Sequence, residues 1–202
     1  MTGQPKKQLH EQADGKQRIM DAAGQLFADK GFAATSISDI TEAAGVGRAL
    51  IYYHFKDKRS LHDSILRRFG QLIIEAAQSA RSYEGTALER IRWYVVQFRQ
   101  LHVDRPNVGR IAMRAEIEGT LTPDLDVRVH FKEVLSLLKL IVEEGIEQGE
   151  LRSVRPEKAV HIIMAMVHSV VMMHIQGQYD DDPDEDIDFA MSILKKGLAV
   201  TD

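Results

Sequence analysis

A single glycine divides two short helical patterns in the stretch from Thr35 to Leu61, TSISDITEAAGVGRALIYYHFKDKRSL. Ile37, Ile40, Ala43 and Ala44 recur at three and four residues, the spacing of one buried helix face. Gly45 ends that helix, and Val46 offers an apolar plug for the turn. A second short helix is expected from Gly47 or Arg48 to about Phe55. A helix of about seven or eight residues does not stand alone in water. It forms only when its neighbours clamp it, so the surrounding chain must supply a helical framework.

The outward side of the second helix carries Arg48, Ala49, Tyr52, Tyr53 and His54, with Lys56 and Lys58 directly after it. That set offers a fork of donors, a small residue for close approach, two phenols and an imidazole. A helix pair joined by a glycine-containing turn is a helix-turn-helix, whose second helix enters the major groove of DNA.

With these residues the sequence resembles the TetR family of transcriptional regulators. The matching positions are Ala22-Ala23, Leu26-Phe27, Gly31-Phe32, Thr35, Ile40, Ala43 to Val46, Leu50 to Phe55, Lys58 and Leu61. The motif covers roughly residues 16 to 62, and beyond that the resemblance is architectural. It implies an all-α chain of about nine helices. An arm over 1–15 precedes a three-helix DNA-binding domain over 16–62 and an effector-binding and dimerisation domain over 63–202. It also implies phosphate contacts for Tyr53, His54 and Lys58, with Thr35 or Ser36 across the groove. Arg48 suits a guanine, and Ala49 and Tyr52 suit thymine methyls or the backbone. Gly47 stands where many relatives have a Ser or Thr cap, so it fixes the backbone less. Leu50 stands where relatives often have a polar residue and offers no hydrogen bond.

The net charge of −4 does not contradict a DNA-binding head. Residues 1–70 carry 11 Lys and Arg against 8 Asp and Glu, whereas residues 71–202 carry 15 against 22. The acidic excess therefore lies away from the reading helix, an asymmetry that permits nucleic-acid binding. The chain has no cysteine, which excludes disulfides and thiolate metal sites. Residues 1–17 are polar, with no signal or anchor segment, so a cytoplasmic protein without membrane contact is expected. The longest apolar run, Met164–Ile175, is interrupted by His168 and His174 and is too short to span a membrane.

Along the chain, helix one is expected over Lys16–Lys30 with Ile19, Ala22, Ala23, Leu26 and Phe27 inward, capped by Gly31. Lys6 and Lys7, in the expected mobile arm, could touch phosphate or a minor groove; a disordered tail is the competing reading. Helix four runs from Lys58 to about Ala80, with Leu61, Ile65, Phe69 and Leu72 on one face, and is long enough to serve both domains. Glu84-Gly85-Thr86, Pro106, Thr122-Pro123, Pro156 and Asp184 to Asp188 open the five helices that follow. No internal repeat and no strand is legible.

The family implies a pocket among helices four to eight for a small effector. Candidate lining residues are Trp93, Tyr94, Phe98, Met113, Glu116, Phe131, Leu135, Met164 and His168; plain core packing is the competing reading for each. The aliphatic and methionine-rich lining suits an apolar effector. Helix eight is apolar on nearly every side, as a helix buried all round would be. With helix nine it would form a four-helix contact with a second copy. The expected dimer residues are Ile162, Met166, Val170, Met173, Ile187, Met191, Leu194 and Leu198. His161 and His168 lie about two helical turns apart and cannot share one ion. His168 is read as a buried, hydrogen-bonded histidine, and no metal or other cofactor is expected. A cysteine nucleophile, a glycine-rich phosphate loop and a G-x-S-x-G elbow are all missing, and Glu143-Glu144 reads as a solvated face, so no catalytic residue is assigned. The expected function is a ligand-responsive regulator, most simply a repressor, that binds a palindromic operator as a homodimer. The alternatives are a dimeric helical adaptor without DNA binding and a metal-responsive regulator.

Overall fold

The computed structural model describes residues 4–119, 127–175 and 183–200. Nine α-helices occur among them: α1 (Gln4–Lys30), α2 (Ile37–Ala44), α3 (Arg48–His54), α4 (Lys58–Ser82), α5 (Ala87–Asp104), α6 (Pro106–Ile117), α7 (Val127–Glu147), α8 (Pro156–Ile175) and α9 (Pro183–Leu198). The described residues contain no strand, only one isolated antiparallel bridge between Leu151 and Ala199. Its bonds run from Arg152 N to Leu198 O at 2.9 Å and from Val200 N to Glu150 O at 3.3 Å, fastening the end of α9 to the loop before α8.

The chain divides into two compact units. The first holds residues 4–69 and 107–119, and the second holds 70–106, 127–175 and 183–200. This differs in three ways from the expected partition. The arm expected over 1–15 is helical from Gln4 onward, as the first part of α1. The first unit runs past residue 62, because Ile65 and Leu66 belong to its core. And α6, expected in the second domain, joins the first unit, where Ile111 and Ala115 are buried.

In the first unit, Ile19, Ala23 and Phe27 of α1 meet Ile40 and Ala44 of α2, Ile51 of α3, and Leu61, Ile65 and Leu66 of α4. The α6 side chains tie back to α1: Arg114 Nη1 donates to Ala28 O at 2.8 Å, and Asn107 Nδ2 donates to Gln25 Oε1 at 2.7 Å.

In the second unit, α5, α7, α8 and α9 surround one apolar cluster built on Ile91, Tyr94, Leu138, Ile141, Ile163 and Ile187. A capping box opens α5, where Thr86 Oγ1 accepts from Glu89 N and the Glu89 carboxylate accepts from Thr86 N. Donation to that carboxylate from Thr86 N, at 2.8 Å, and from the Thr86 hydroxyl, at 2.9 Å, holds the Glu89 carboxyl below the usual carboxylate range. Arg90 is buried and closes the C-terminal end of α4. Its Nη2 donates to Arg81 O at 2.6 Å, and its Nη1 donates to Glu144 Oε2 at 2.7 Å. Glu144 is thus an ion-pair partner of a buried arginine rather than part of a solvated face. The expected start of α7 at Thr122-Pro123 lies outside the described residues.

Candidate nucleic-acid interface

The interface is built from the α1–α2 loop, α2, α3 and the first turn of α4. Ser36 caps α2: its Oγ accepts from Asp39 N at 3.1 Å, and Asp39 Oδ2 accepts from Ser36 N at 2.8 Å. Two donors that a helix start leaves open are thereby met. The Ser36 bonds also lower the Asp39 pKa, which keeps that carboxylate ionised. Gly45 ends α2 with φ 60°, the left-handed region where a side chain is strained, and its N–H reaches Glu42 O. The chain therefore turns within two residues and starts α3 at Arg48.

α3 has two sides. Ile51 is buried, Phe55 is buried directly after the helix, and Leu50 is half-buried. On the other side Arg48 and Ala49 are exposed, and Tyr52 and Tyr53 expose 49% and 66% of their surfaces. Arg48 and Tyr52 are four residues apart, and the guanidinium lies 5.8 Å from the phenol ring. The structure thus brings together Arg48, Ala49, Tyr52 and Tyr53 as one outward set. His54 is half-buried, its ring edge-on to Tyr53 at 4.9 Å. Gly47 precedes α3 with extended backbone and contributes no side-chain cap.

Leu50 does not face outward with this set. A Cβ at buried Gly15 of α1 would come within 2.8 Å of Leu50 Cδ2, so Leu50 packs where α1 approaches α3. Its apolar character is explained inside the unit. Ala43, expected on the buried face of α2, is exposed, and Ile40 and Ala44 alone are buried there.

Two expected contact residues are occupied internally. Thr35 is buried, and its hydroxyl donates to Gly31 O at 2.8 Å. It is a strut for the loop, and Ser36 is the hydroxyl at the surface. Lys58 is half-buried, with Nζ donating to Phe32 O and Thr35 O, both at 2.7 Å. The ammonium also lies 4.4 Å from the Phe32 ring centroid, and the Arg59 guanidinium lies 4.3 Å from it. An ammonium has three donors, so two of those of Lys58 are spent on the fold.

Sequence reasoning did not find three residues that hold this face. Asp57 and Ser60 form a second capping box, at the start of α4: Ser60 N donates to Asp57 Oδ1 at 2.7 Å, and Asp57 N donates to Ser60 Oγ at 3.1 Å. The D-x-x-S spacing was the available signal. His62 is buried edge-on to Phe27 and Phe32, at 5.2 and 5.0 Å. Burial holds its imidazole below the usual histidine range, and Asp63 opposes that shift.

The expected effector residues separate. Tyr94, Phe98 and Met164 are buried in the second unit and Leu135 is half-buried there. Trp93 is exposed instead; it stacks on Tyr83 at 4.7 Å and donates to Ser79 Oγ at 3.1 Å. Phe131 is exposed, and so is His168, contrary to its reading as a buried histidine. Met113 and Glu116 lie on α6, in the first unit, and their side chains are outside the described residues. Among the described residues no group of three or more potential metal ligands converges, and no helix is long and apolar enough to cross a membrane.

The expected dimer residues also divide. Ile187 and Leu194 are buried within the second unit, and Met166, Met191 and Leu198 are half-buried. Ile162 is exposed, whereas the side chains of Val170 and Met173 lie outside the described residues. The outward side of α9 is Phe189 and Ile193, which the sequence reading passed over.

The model of the bacterial regulatory proteins of the tetR family matches residues 19–65. Over 176 residues the chain is 30% identical to the HTH-type transcriptional repressor BepR of Brucella suis, a match covering 83% of this chain and 84% of that protein. A TetR family transcription regulator from Marinobacter aquaeolei superposes with a TM-score of 0.75 at 22% identity, covering 95% of this chain and 99% of that one. FadR from Bacillus subtilis, in complex with stearoyl-CoA, gives a TM-score of 0.69 at 23% identity, covering 88% of this chain and 96% of that one. At these identities the two structures speak to the fold alone.

Proposed function

The chain belongs to the TetR family of bacterial transcriptional regulators and is not an enzyme, and from that premise we propose that it is a repressor that binds an inverted-repeat operator as a homodimer and leaves it when a small apolar effector binds the second unit. The observation that carries this reading is the two-sided α3. Ile51 and Phe55 lock its inner side, and Arg48, Ala49, Tyr52 and Tyr53 are exposed on the outer side. Arg48 is the candidate for bidentate contact to a guanine. Tyr53 and Ser36 are the candidates for phosphate contact, and the third donor of Lys58 is available to a phosphate that docks at the start of α4.

A helix-turn-helix head reads a half-site, and two heads related by symmetry read an inverted repeat. The exposed apolar side chains Ile162 on α8 and Phe189 on α9, at 60% and 67%, support a contact with a second copy. An apolar effector is supported by the cluster between α5, α7 and α8, which is mostly aliphatic. BepR bears the name of a repressor, and FadR was solved with an acyl-CoA. An effector releases DNA only through a difference in affinity between the two conformations.

The test is selection from a pool of random duplexes with the full chain, followed by sedimentation of the complex formed. The expected outcome is an enriched inverted repeat bound by an even number of chains. Recovery of no preferred sequence, or of a single unrepeated site bound by one chain, would contradict the reading.

A further inference from the structure

Tyr94 sits in the middle of α5 with 0% of its surface exposed, inside the larger apolar cluster. Its ring packs against Phe98, with centroids 5.8 Å apart. Its hydroxyl has no hydrogen-bond partner among the described residues. Burial pushes its pKa far above the usual phenol value, so the O–H remains a donor throughout the physiological range. Leaving such a donor unmatched is costly, and a phenylalanine would pack the same ring without that penalty. Other polar groups along the inner side of α5 are matched: Arg90 by Glu144 and Arg81 O, and His102 Nδ1 by Phe98 O at 2.9 Å. The Tyr94 hydroxyl is not, and neither is Arg99 Nε, although the Arg99 guanidinium is held at its other end by Asp184; unmatched buried groups in folded proteins call for a water, an ion or a functional partner.

We propose that the Tyr94 hydroxyl donates a hydrogen bond to the effector, and that the effector is a neutral, largely apolar molecule with an acceptor oxygen, such as a ketone, ester or lactone. This rests on the effector reading given above. The charge of the ligand follows from its surroundings. One donor among aliphatic side chains does not solvate a carboxylate or a phosphate. The three arginines of α5 are each paired with a carboxylate: Arg90 with Glu144, Arg92 with Asp188 and Arg99 with Asp184. A neutral carbonyl needs only the one donor.

The experiment uses the full chain, its Tyr94→Phe variant and two probes of equal length, 2-decanone and n-decane. Calorimetric titration gives affinities, and thermal melting gives the stability of each protein without ligand. The wild type is expected to bind 2-decanone about ten-fold more tightly than decane, the worth of one hydrogen bond. Tyr94→Phe is expected to melt no lower than the wild type and to bind the two probes equally. Equal binding by the wild type, failure of 2-decanone to bind, or a preference that survives Tyr94→Phe would overturn the proposal. A marked fall in melting temperature for unliganded Tyr94→Phe would overturn it too, because the hydroxyl would then be completing a structural water. Release of operator DNA is scored separately. Release by both probes alike removes Tyr94 and leaves the regulator standing. Ketone binding through Tyr94 with no effect on DNA does the reverse.

Discussion

Arg48 and Lys58 carry the same charge, yet the fold gives them different work. Arg48 is exposed, with its guanidinium over the Tyr52 ring, whereas Lys58 ties the start of α4 to Phe32 O and Thr35 O. Hydrogen bonds from a charged group contribute roughly 1.5–3 kcal/mol. Lys58→Ala should therefore lower the stability of the first unit by about 2 kcal/mol, read by denaturant unfolding. A variant as stable as the wild type would show that the two bonds contribute nothing. The loop carbonyls that Lys58 meets lie 26 and 23 residues upstream. No local pattern signals such a contact, so in the sequence it reads as a free basic residue. Thr35 and Ser36 show the same limit. Both hydroxyls precede α2, and only the path of the loop decides that Thr35 turns inward. His62 yields a pH prediction. Its folded-state pKa is lowered by burial, and the charge of Arg59 adds to this, while Asp63 and Glu118 oppose it. The group contributes stability above its unfolded pKa of about 6.5, and that contribution is lost as pH falls below it. His62→Phe should flatten the decline in stability between about pH 7 and pH 5. An unchanged decline would clear His62 of the effect.

At the scale of helices, punctuation decides where elements begin and end. Ser36, Thr86 and Asp57 each take part in a capping box, and Gly45 closes α2. Close approach is the second determinant. A Cβ at Gly145 of α7 would lie 2.5 Å from Ala87 Cβ on α5 and 3.0 Å from Leu151 Cγ. Ala87 is fixed to its helix and cannot turn aside, so Gly145→Ala should destabilise the second unit by about 1–3 kcal/mol. A melting temperature equal to that of the wild type would mean that α5 and α7 part freely. Most of the helices were legible, because apolar periodicity and Pro, Gly and Ser/Thr signals mark them; the first part of α1, from Gln4, lacks that periodicity and read as an arm. Which side of α9 faces in was only partly so. Its stripe of Ile187, Ala190 and Leu194 turns inward as periodicity suggests, but Phe189 and Ile193 form a second apolar pair at helical spacing. Periodicity finds apolar sides and does not say which partner covers each.

For the molecule as a whole, the second apolar side of α9 and Ile162 of α8 support pairing with another copy. Phe189→Glu places a charge on that exposed side without touching the core of the second unit. It should shift the chain from dimer to monomer by light scattering at micromolar concentration, with helix content unchanged. A dimer that persists would move the contact elsewhere. Loss of the dimer should also weaken operator binding, since each head then binds its half-site alone. The partition of the chain was harder to read than its helices. Ile111 and Ala115 look like any core stripe in sequence, and only the packed structure assigns α6 to the first unit.

The central claim is that the outer side of α3 reads base edges. Fluorescence anisotropy of the wild type and Arg48→Ala on the selected operator and on a scrambled duplex, at one salt concentration, tests it directly. The predicted result is a loss of about ten- to a hundred-fold on the operator for each altered half-site, with a much smaller change on the scrambled duplex. Equal losses on both duplexes, or none on either, would contradict it.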